Sequence, residues 1–440
     1  MHQAGDLAQA EMLYRQVLTL EPDLTPAHAN LGAALLGLGR FDDAVAACTR
    51  AIEHDPEHVT ARNTRGAALR SLGRTLEALA DFDAVLARRP DHAQAHNNRG
   101  NALREMGRYP EALASYARGR AVKPDYGRAI HNESLCRLLL GDFDSGWSLY
   151  ESRGLDDQLA PWRRTFTVPR WSREANAPGK TVLLHAEQGS GDALQFVRYA
   201  PLVAACGADV VLEVHRELGT LLERVDGVRA VVANRDPLPP IDFECPLMSL
   251  PFAFGTRMDT VPANVPYVRA NHTASREWGE RIGRAPGRKI GVAWSGSAAH
   301  VNDRNRSIPL AHFLTALPEG ARYYSVQKDV RASDAAAGAD ATNLECFGDL
   351  LTDFDQTAAL IGLMDLVVTV DTAVAHLAGA LGKKVWILLP FDPDWRWLLD
   401  RDDSPWYPTA RLLRQPSLGD WDAVLARCRD DLEDWLASRK

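Results

Sequence analysis

Lysine is scarce in this chain: only seven of its 50 basic residues are lysine, and the rest are arginine. Acidic residues outnumber them, leaving a formal net charge of −8, which argues against broad binding to nucleic acid or to an anionic membrane surface. Cysteine is also thin. The six present, Cys48, Cys136, Cys206, Cys245, Cys346 and Cys428, are scattered, with no Cys-x-x-Cys and no histidine at metal-ligand spacing. They read as small buried hydrophobes in a reducing compartment. There is no signal-peptide pattern, and no apolar run is long enough to span a bilayer. The cytoplasm is the expected location. At 440 residues the chain is too long for one ordinary core, so two or three domains are expected.

What the sequence has in abundance is repetition. Gly39, Gly73, Gly107 and Gly141 recur every 34 residues, and Gly5 falls one step earlier. Gly32, Gly66 and Gly100 keep the same step, as do Pro22, Pro56, Pro90 and Pro124, and Ala10, Ala44, Ala78 and Ala112. A 34-residue period with helix-turn-helix punctuation is the tetratricopeptide signature. The small Gly100 lets a first helix approach its partner, Gly107-Arg108-Tyr109 makes the turn, and Pro124 stops the second helix. Each helix pair buries its apolar face only by stacking on the next, which predicts an α-solenoid over residues 1–153, its first repeat incomplete. Such arrays bind extended peptides or partner proteins. Asn97, Asn98, Asn101 and Asn132 are either groove amides that pair with a peptide backbone or surface polar residues. From 154 to 179 the period vanishes, and Pro161, Trp162, Pro169 and Trp171 mark an ordered connector.

Beyond it the pattern changes to α/β. Thr181–Ala186 is a compact strand leading into Glu187-Gln188-Gly189-Ser190-Gly191-Asp192 and an amphipathic helix from about Ala193 to Cys206. Asp209–Val214 and Val228–Val232 are further strands, giving a βαβαβ half over 180–270 that a proline-rich stretch closes. A second half, 271–440, starts again at Lys289–Trp294, continues through a polar loop from Ser295 to Ser307, and ends in an amphipathic helix, Trp421 to Leu436. Within it, Leu366–Val370 reads as a buried strand. Asp371 follows in an N-cap position, and Val374, Leu377, Ala378 and Leu381 form one apolar helical face that Gly382 stops. A helix that opens at the carboxyl end of a parallel strand presents free N–H groups and suits a phosphate. Two such halves leave a cleft between their sheet edges, where small molecules bind.

The Gly-x-Gly-Asp loop ending at Asp192, with Val370–Gly382 in the second half, resembles the heptosyltransferase-like glycosyltransferases of family nine over roughly residues 180 to 435. The array in front resembles the domain order of bacterial tetratricopeptide–glycosyltransferase proteins, some of which modify flagellins, and of the O-GlcNAc transferases. The resemblance implies a GT-B fold of two Rossmann-like domains, with an acceptor side (180–270) and a nucleotide-sugar side (271–440). It makes Asp192 the candidate base, with Glu187 and His185 as rivals and Gln188, Gly189 and Gly191 as acceptor-loop residues; Asp192 is otherwise a helix N-cap. Arg304 and Arg306 offer fixed positive charge to a diphosphate. Asp371, Thr372, Ala373 and His376 line the donor site, Asp371 accepting from sugar or ribose hydroxyls because like charge keeps it from phosphate. Gln327 and Lys328 would lie near the nucleoside. Asp392-Pro393-Asp394 spells a metal-binding Asp-x-Asp, but so do five other places in this chain, and no metal or other cofactor is expected. The run Asp394-Trp395-Arg396-Trp397 and Trp406-Tyr407 are candidates for sugar stacking, a lid or a domain interface. The expected activity is an inverting, metal-independent transfer from a nucleotide sugar to a protein Ser or Thr hydroxyl, flagellin-like acceptors included. A non-catalytic scaffold, or a lipid or oligosaccharide acceptor, is the alternative.

Overall fold

The computed structural model describes residues 6–157, 159, 164–175, 177–283, 287–300 and 302–438; Gly5, Pro161 and Trp162 lie outside the described residues. The chain divides into two compact units, residues 1–137 with 148–161, and residues 138–147 with 162–440.

In the first unit, helices α1 (Leu7–Leu20), α2 (Thr25–Gly37), α3 (Phe41–His54), α4 (Val59–Ser71), α5 (Thr75–Arg88), α6 (Ala93–Glu105) and α7 (Tyr109–Val122) follow one another through short turns. Helices α8 (Gly127–Leu139) and α9 (Phe143–Tyr150) come next. The turn glycines Gly39, Gly73, Gly107 and Gly141 have φ of 75°, 79°, 73° and 81°, a region that side chains with a Cβ rarely adopt. The second glycine register serves packing. A Cβ on Gly32, Gly66 or Gly100 would come within 2.3, 2.6 and 2.4 Å of Cys48, Phe82 and Tyr116. Those three partners are themselves 34 residues apart, so each repeat seats a helix-B side chain over a helix-A glycine.

The asparagines behave differently from expectation. Asn97 is fully buried, and its Oδ1 accepts from Asn132 Nδ2 at 2.8 Å, so it does not face a groove. Asn98 Nδ2 donates to Asn63 Oδ1 at 3.1 Å, and Asn101 Oδ1 accepts from the Tyr116 hydroxyl at 2.8 Å. These amides tie successive helices together. Asn98, Asn101 and Asn132 remain half-buried, and each keeps further hydrogen-bonding capacity.

The second unit carries two all-parallel sheets. The first contains β1 (Thr181–His185), β2 (Asp209–Val214), β3 (Val228–Ala233) and β4 (Phe243–Pro246), in the order β3-β2-β1-β4. Strand β4 comes from the proline-rich stretch expected only to close the half. The helix expected over 193–206 is broken: Ser190–Phe196 is helical, and after a tight turn Ala200–Ala205 is a separate segment with Pro201 in its first turn. Residues 138–147 group with this unit because Trp147 meets Trp395 edge-on at 5.2 Å and Phe196 at 6.4 Å.

The second sheet contains β5 (Lys289–Ala293), β6 (Arg322–Ser325), β7 (Leu344–Cys346), β8 (Leu366–Val370), β9 (Val385–Leu389) and β10 (Ala410–Arg414). Read from β7, its order is β7-β6-β5-β8-β9-β10, the 3-2-1-4-5-6 order of the dinucleotide fold. Alternate residues Ile290, Val292, Leu366, Val368, Val370, Trp386 and Leu388 form one core with Val424, Leu425, Cys428 and Leu432 of the C-terminal helix Trp421–Ala437. An α-solenoid followed by two parallel Rossmann-like sheets is the architecture expected of a GT-B protein with a repeat array. In each sheet the order reverses beside the first strand, at β1/β4 and β5/β8, and ligands favour the carboxyl ends at that crevice.

All 11 tryptophans lie at or beyond residue 147, so tryptophan fluorescence reads the second unit alone. Gly100→Ala forces the buried Tyr116 ring to move and should cost the array ~1–3 kcal/mol. In urea titration the far-UV circular dichroism midpoint should fall while the fluorescence midpoint stays put. Equal displacement of both would contradict this packing.

Candidate functional site

Strand β8 is buried at every position and hands over to helix Ala373–Ala380 through Asp371 and Thr372. The N-cap is Thr372 rather than the expected Asp371: Thr372 Oγ1 accepts from the Val374 N–H at 3.2 Å, while Asp371 stands one residue earlier. Gly382 at φ 68° ends the helix, and the Lys383 N–H closes back on the Ala378 carbonyl at 3.0 Å, the expected glycine stop. The helix is buried from Ala375 to Ala380, so it is a core helix with its N-terminus aimed at the carboxyl edge of the sheet.

The Gly-x-Gly-Asp loop opens a second helix, Ser190–Phe196, with Gly189 at its N-cap. Asp192 lies in the first turn of that helix, where Oδ2 accepts from the Gly189 N–H at 2.9 Å; it does not cap a helix beginning at Ala193. The two helices cross at their first turns. A Cβ on Gly191 would sit 3.0 Å from His376 Cδ2 and 3.6 Å from Ala373 Cα, so glycine is what lets the motifs of the two halves touch.

Arg396, 7% exposed, stands at this crossing. Its Nη2 pairs with Asp192 and its Nε donates to Gln195 Oε1, both in the first α/β half, while Nη1 donates to Asp394 Oδ1 at 2.8 Å. Its guanidinium lies 4.5 Å from the centre of the Trp395 ring. Arg306 reaches in from the polar loop: Nη1 donates to the Asp371 carbonyl at 2.9 Å, and Nε is buried without a partner among the described residues. Three carboxyl groups (Asp192, Asp371, Asp394) thus share a crossing with two guanidiniums.

Electrostatics follow from that crowding. Burial, then the Asp394 carboxylate, push Asp371 up to about 6, with Arg306 opposing. Burial also raises Asp192 above the usual aspartate range despite the pull of Arg396. Burial would raise Asp394 too, but Arg396 outweighs it and holds that carboxyl low. Burial, with Arg396 nearby, drops His376 to about 3, so its imidazole is neutral and acts only as a hydrogen-bonding group. Its Nδ1 lies 2.9 Å from the Tyr407 hydroxyl, and its ring stacks on Trp397 at 5.4 Å. Behind it Arg198, buried, donates to the Gln195 and Trp406 carbonyls and to the Tyr267 hydroxyl. Among the described residues it has no carboxylate partner, so it adds fixed positive field to the site.

Other expected residues lie elsewhere or are already engaged. Gln327 Oε1 accepts from the Trp294 and Ser295 N–H groups at 3.0 and 2.9 Å. Its Nε2 donates to Ser295 Oγ and the Asp329 carbonyl, each at 2.8 Å, so this side chain braces the β5 and β6 loops and has no hydrogen left to offer. Lys328 is exposed, with Nζ on the Thr352 carbonyl at 3.4 Å. Arg304 is exposed, whereas Arg306 points inward. His185 is buried and bound to Glu244 Oε2 at 2.9 Å, within the sheet edge. Glu187 and Gln188 are half-buried, and the Gln188 carbonyl lies 2.5 Å from His215 Nε2. Trp395, Trp397 and Trp406 are at most 3% exposed, which leaves no ring face open for a sugar. Sequence reasoning missed Gln195 and Arg198, and it named Arg396 and Tyr407 only as parts of aromatic runs that were candidates for stacking, a lid or a domain interface. The one signal available was an arginine spelled between two tryptophans in Trp395-Arg396-Trp397. Among the described residues, no group of three His, Cys, Asp or Glu is placed to hold a metal ion.

Comparison with known proteins points the same way. Residues 1–66 and 63–126 match two tetratricopeptide repeat models, and residues 316–388 match the glycosyltransferase family 9 (heptosyltransferase) model. These matches put tetratricopeptide repeats ahead of a C-terminal segment similar to family 9 glycosyltransferases. Protein FlbA of Caulobacter vibrioides is 26% identical over 329 residues, 68% of this chain and 54% of that protein; the chain spans about half the length of this curated relative. Among solved structures, MamA is 20% identical with a TM-score of 0.32, covering 36% of this chain and 94% of MamA. A tetratricopeptide repeat protein of Thermus thermophilus is 19% identical with a TM-score of 0.33, covering 36% of this chain and 86% of that one.

The Asp371 environment has a measurable consequence. Between the ~3.9 of a free aspartate and about 6, the folded protein holds a proton that the unfolded chain has released. Stability contributed there is complete at the acid end and falls as pH rises through 6. Asp371→Asn escapes this cost. Its urea midpoint by tryptophan fluorescence should gain on the wild type, by up to ~2–3 kcal/mol between about pH 4 and about pH 7.5. A difference that does not change with pH would contradict the assignment.

Proposed function

We propose that this tetratricopeptide-repeat chain with its family 9 segment is a glycosyltransferase that moves a sugar from a nucleotide-sugar donor to a protein Ser or Thr hydroxyl. The observation that carries the reading is the meeting of Asp192 and Asp371 at one buried crossing of two helix N-termini, with Arg306 and Arg396 beside them. Transfer requires a stabilised leaving diphosphate, oriented sugar and ribose hydroxyls, and a group that accepts the acceptor's proton. The first turn of helix Ala373–Ala380 and the Arg306 guanidinium serve the diphosphate. Asp371 accepts from a donor hydroxyl, and His376, neutral and steered by Tyr407, adds a hydrogen bond without charge.

In the reaction Asp192 takes the proton of the acceptor hydroxyl, whose oxygen attacks the anomeric carbon. The bond from that carbon to the diphosphate oxygen breaks, and its electron pair leaves with the nucleoside diphosphate. One displacement with base and leaving group on opposite faces inverts the anomeric centre. Helix dipole and arginines supply the charge stabilisation that a divalent ion supplies elsewhere, so no metal is required. The repeat array recruits the acceptor protein, a role supported by the protein-binding habit of such arrays.

One observation favours a second reading, a non-catalytic scaffold: in this state Asp192 is engaged by Arg396. Mass spectrometry of host proteins separates the two. A sugar increment on Ser or Thr peptides should appear with the wild-type gene and vanish on deletion. It should fall at least ~100-fold with Asp192→Asn. Full modification by Asp192→Asn would refute the base assignment. A thermal-shift series adds a binding readout, because a nucleoside diphosphate at ~100 times Kd should stabilise the protein by ~2.7 kcal/mol.

A further inference from the structure

We propose that Arg396 is a latch: it holds Asp192 in the resting protein and passes to the donor's diphosphate when a nucleotide sugar binds, freeing Asp192 to take the acceptor's proton. This rests on the transferase reading above and adds a positioning residue to it.

Four features of the site carry the inference. Arg396 bonds to groups on both sides of the cleft, Asp192 and Gln195 on the acceptor half and Asp394 on its own loop. A carboxylate bound by a guanidinium has its lone pairs occupied and its negative charge neutralised, so it is a poor base until the partner leaves. Second, the Asp394 bond at 2.8 Å, with the Arg396 N–H also donating to Asp394 Oδ1 at 3.0 Å, tethers the loop on the donor side. Letting go of Asp192 therefore turns the guanidinium toward the donor without releasing it to solvent. Third, the guanidinium rests on flat aromatic faces, Trp395 at 4.5 Å and Phe196 at 5.8 Å, which keep a cation–π contact at more than one orientation. Fourth, the carboxylates at this site already hold Arg396, so an arriving diphosphate must compete with them for its guanidinium. A diphosphate offers a planar fork more negative oxygen than one carboxylate does, so it outcompetes Asp192 for Arg396.

Competition for one guanidinium is reciprocal and is read by binding alone, with no acceptor and no turnover. Isothermal titration of UDP, GDP, ADP and CDP into the wild-type protein identifies a nucleotide that binds. That nucleotide should bind Asp192→Asn ~10-fold more tightly, because Arg396 no longer has a carboxylate to leave; this corresponds to ~1.4 kcal/mol. It should bind Arg396→Gln at least ~10-fold more weakly, and in Arg396→Gln the further change Asp192→Asn should bring no tightening. Arg396→Lys, which keeps the charge but not the fork, replaces Arg396→Gln if the latter does not fold. Equal affinity of wild type and Asp192→Asn would overturn the latch while leaving the transferase reading intact. Tightening that persists without Arg396 would overturn it too, since it would reflect only relief of charge repulsion. If none of the four nucleotides bound the wild type, the donor reading itself would fall, and the latch with it.

Discussion

Five charged side chains packed where two helices touch are the constraint on which this structure depends. Asp371 and Arg396 are buried, with Asp192, Asp394 and Arg306 half-buried around them, and a buried charge is tolerated only when paired and hydrogen-bonded. The observed pairing meets that demand unevenly. Asp394 is held ionised by Arg396. Asp371 receives the Arg306 bond at its carbonyl rather than its carboxyl, and burial together with the Asp394 carboxylate raises its affinity for a proton. A site strained in this way is where function concentrates. Its imbalance is a carboxyl at Asp371 that burial biases toward the protonated form and a cation, Arg198, set behind His376 with no carboxylate partner among the described residues.

The fold makes this crowding possible. Each parallel sheet reverses its strand order beside its first strand, and the helices that start at those carboxyl edges converge. Gly191 removes the Cβ that would keep the helices apart, and the buried aromatic group around Trp147, Phe196, Trp395 and Trp406 holds the Arg396 loop against the first α/β half. The rings that looked available for stacking on a sugar are therefore the wall of the site, and their burial helps to place Arg396, which also bonds to Asp192, Gln195 and Asp394.

Much of this was legible in the amino-acid order, and the remainder was not for identifiable reasons. The repeat showed itself because a 34-residue register leaves the same small residues at every helix contact, down to the Cys48, Phe82 and Tyr116 side chains seated over glycines. The two Rossmann-like halves were visible as β-branched runs followed by glycine-rich turns. Strands β4, β7 and β10 were not: β4 hides among prolines, β7 is three residues long, and β10 carries arginine at both ends of its apolar centre. The motif residues Asp192, Asp371 and His376 were found, but their local roles were off by one turn or one residue, because Gly189 and Thr372 take the caps. Asn97 and Gln327 looked like ligand amides and are sealed by partners that are distant in sequence, which no periodicity reveals. The pairing role of Arg396 escaped for the same reason. Its meaning comes from Asp192 and Gln195, some 200 residues earlier.

The most direct test of the account is a crystal structure with a bound nucleoside diphosphate, since the central claim is that both halves serve one anion. The account predicts the diphosphate at the first turn of helix Ala373–Ala380, within hydrogen-bond distance of Arg306, with Asp192 facing the same cavity. A diphosphate bound elsewhere in the α/β unit, or a bound state in which Asp192 and Asp371 open onto different surfaces, would contradict it.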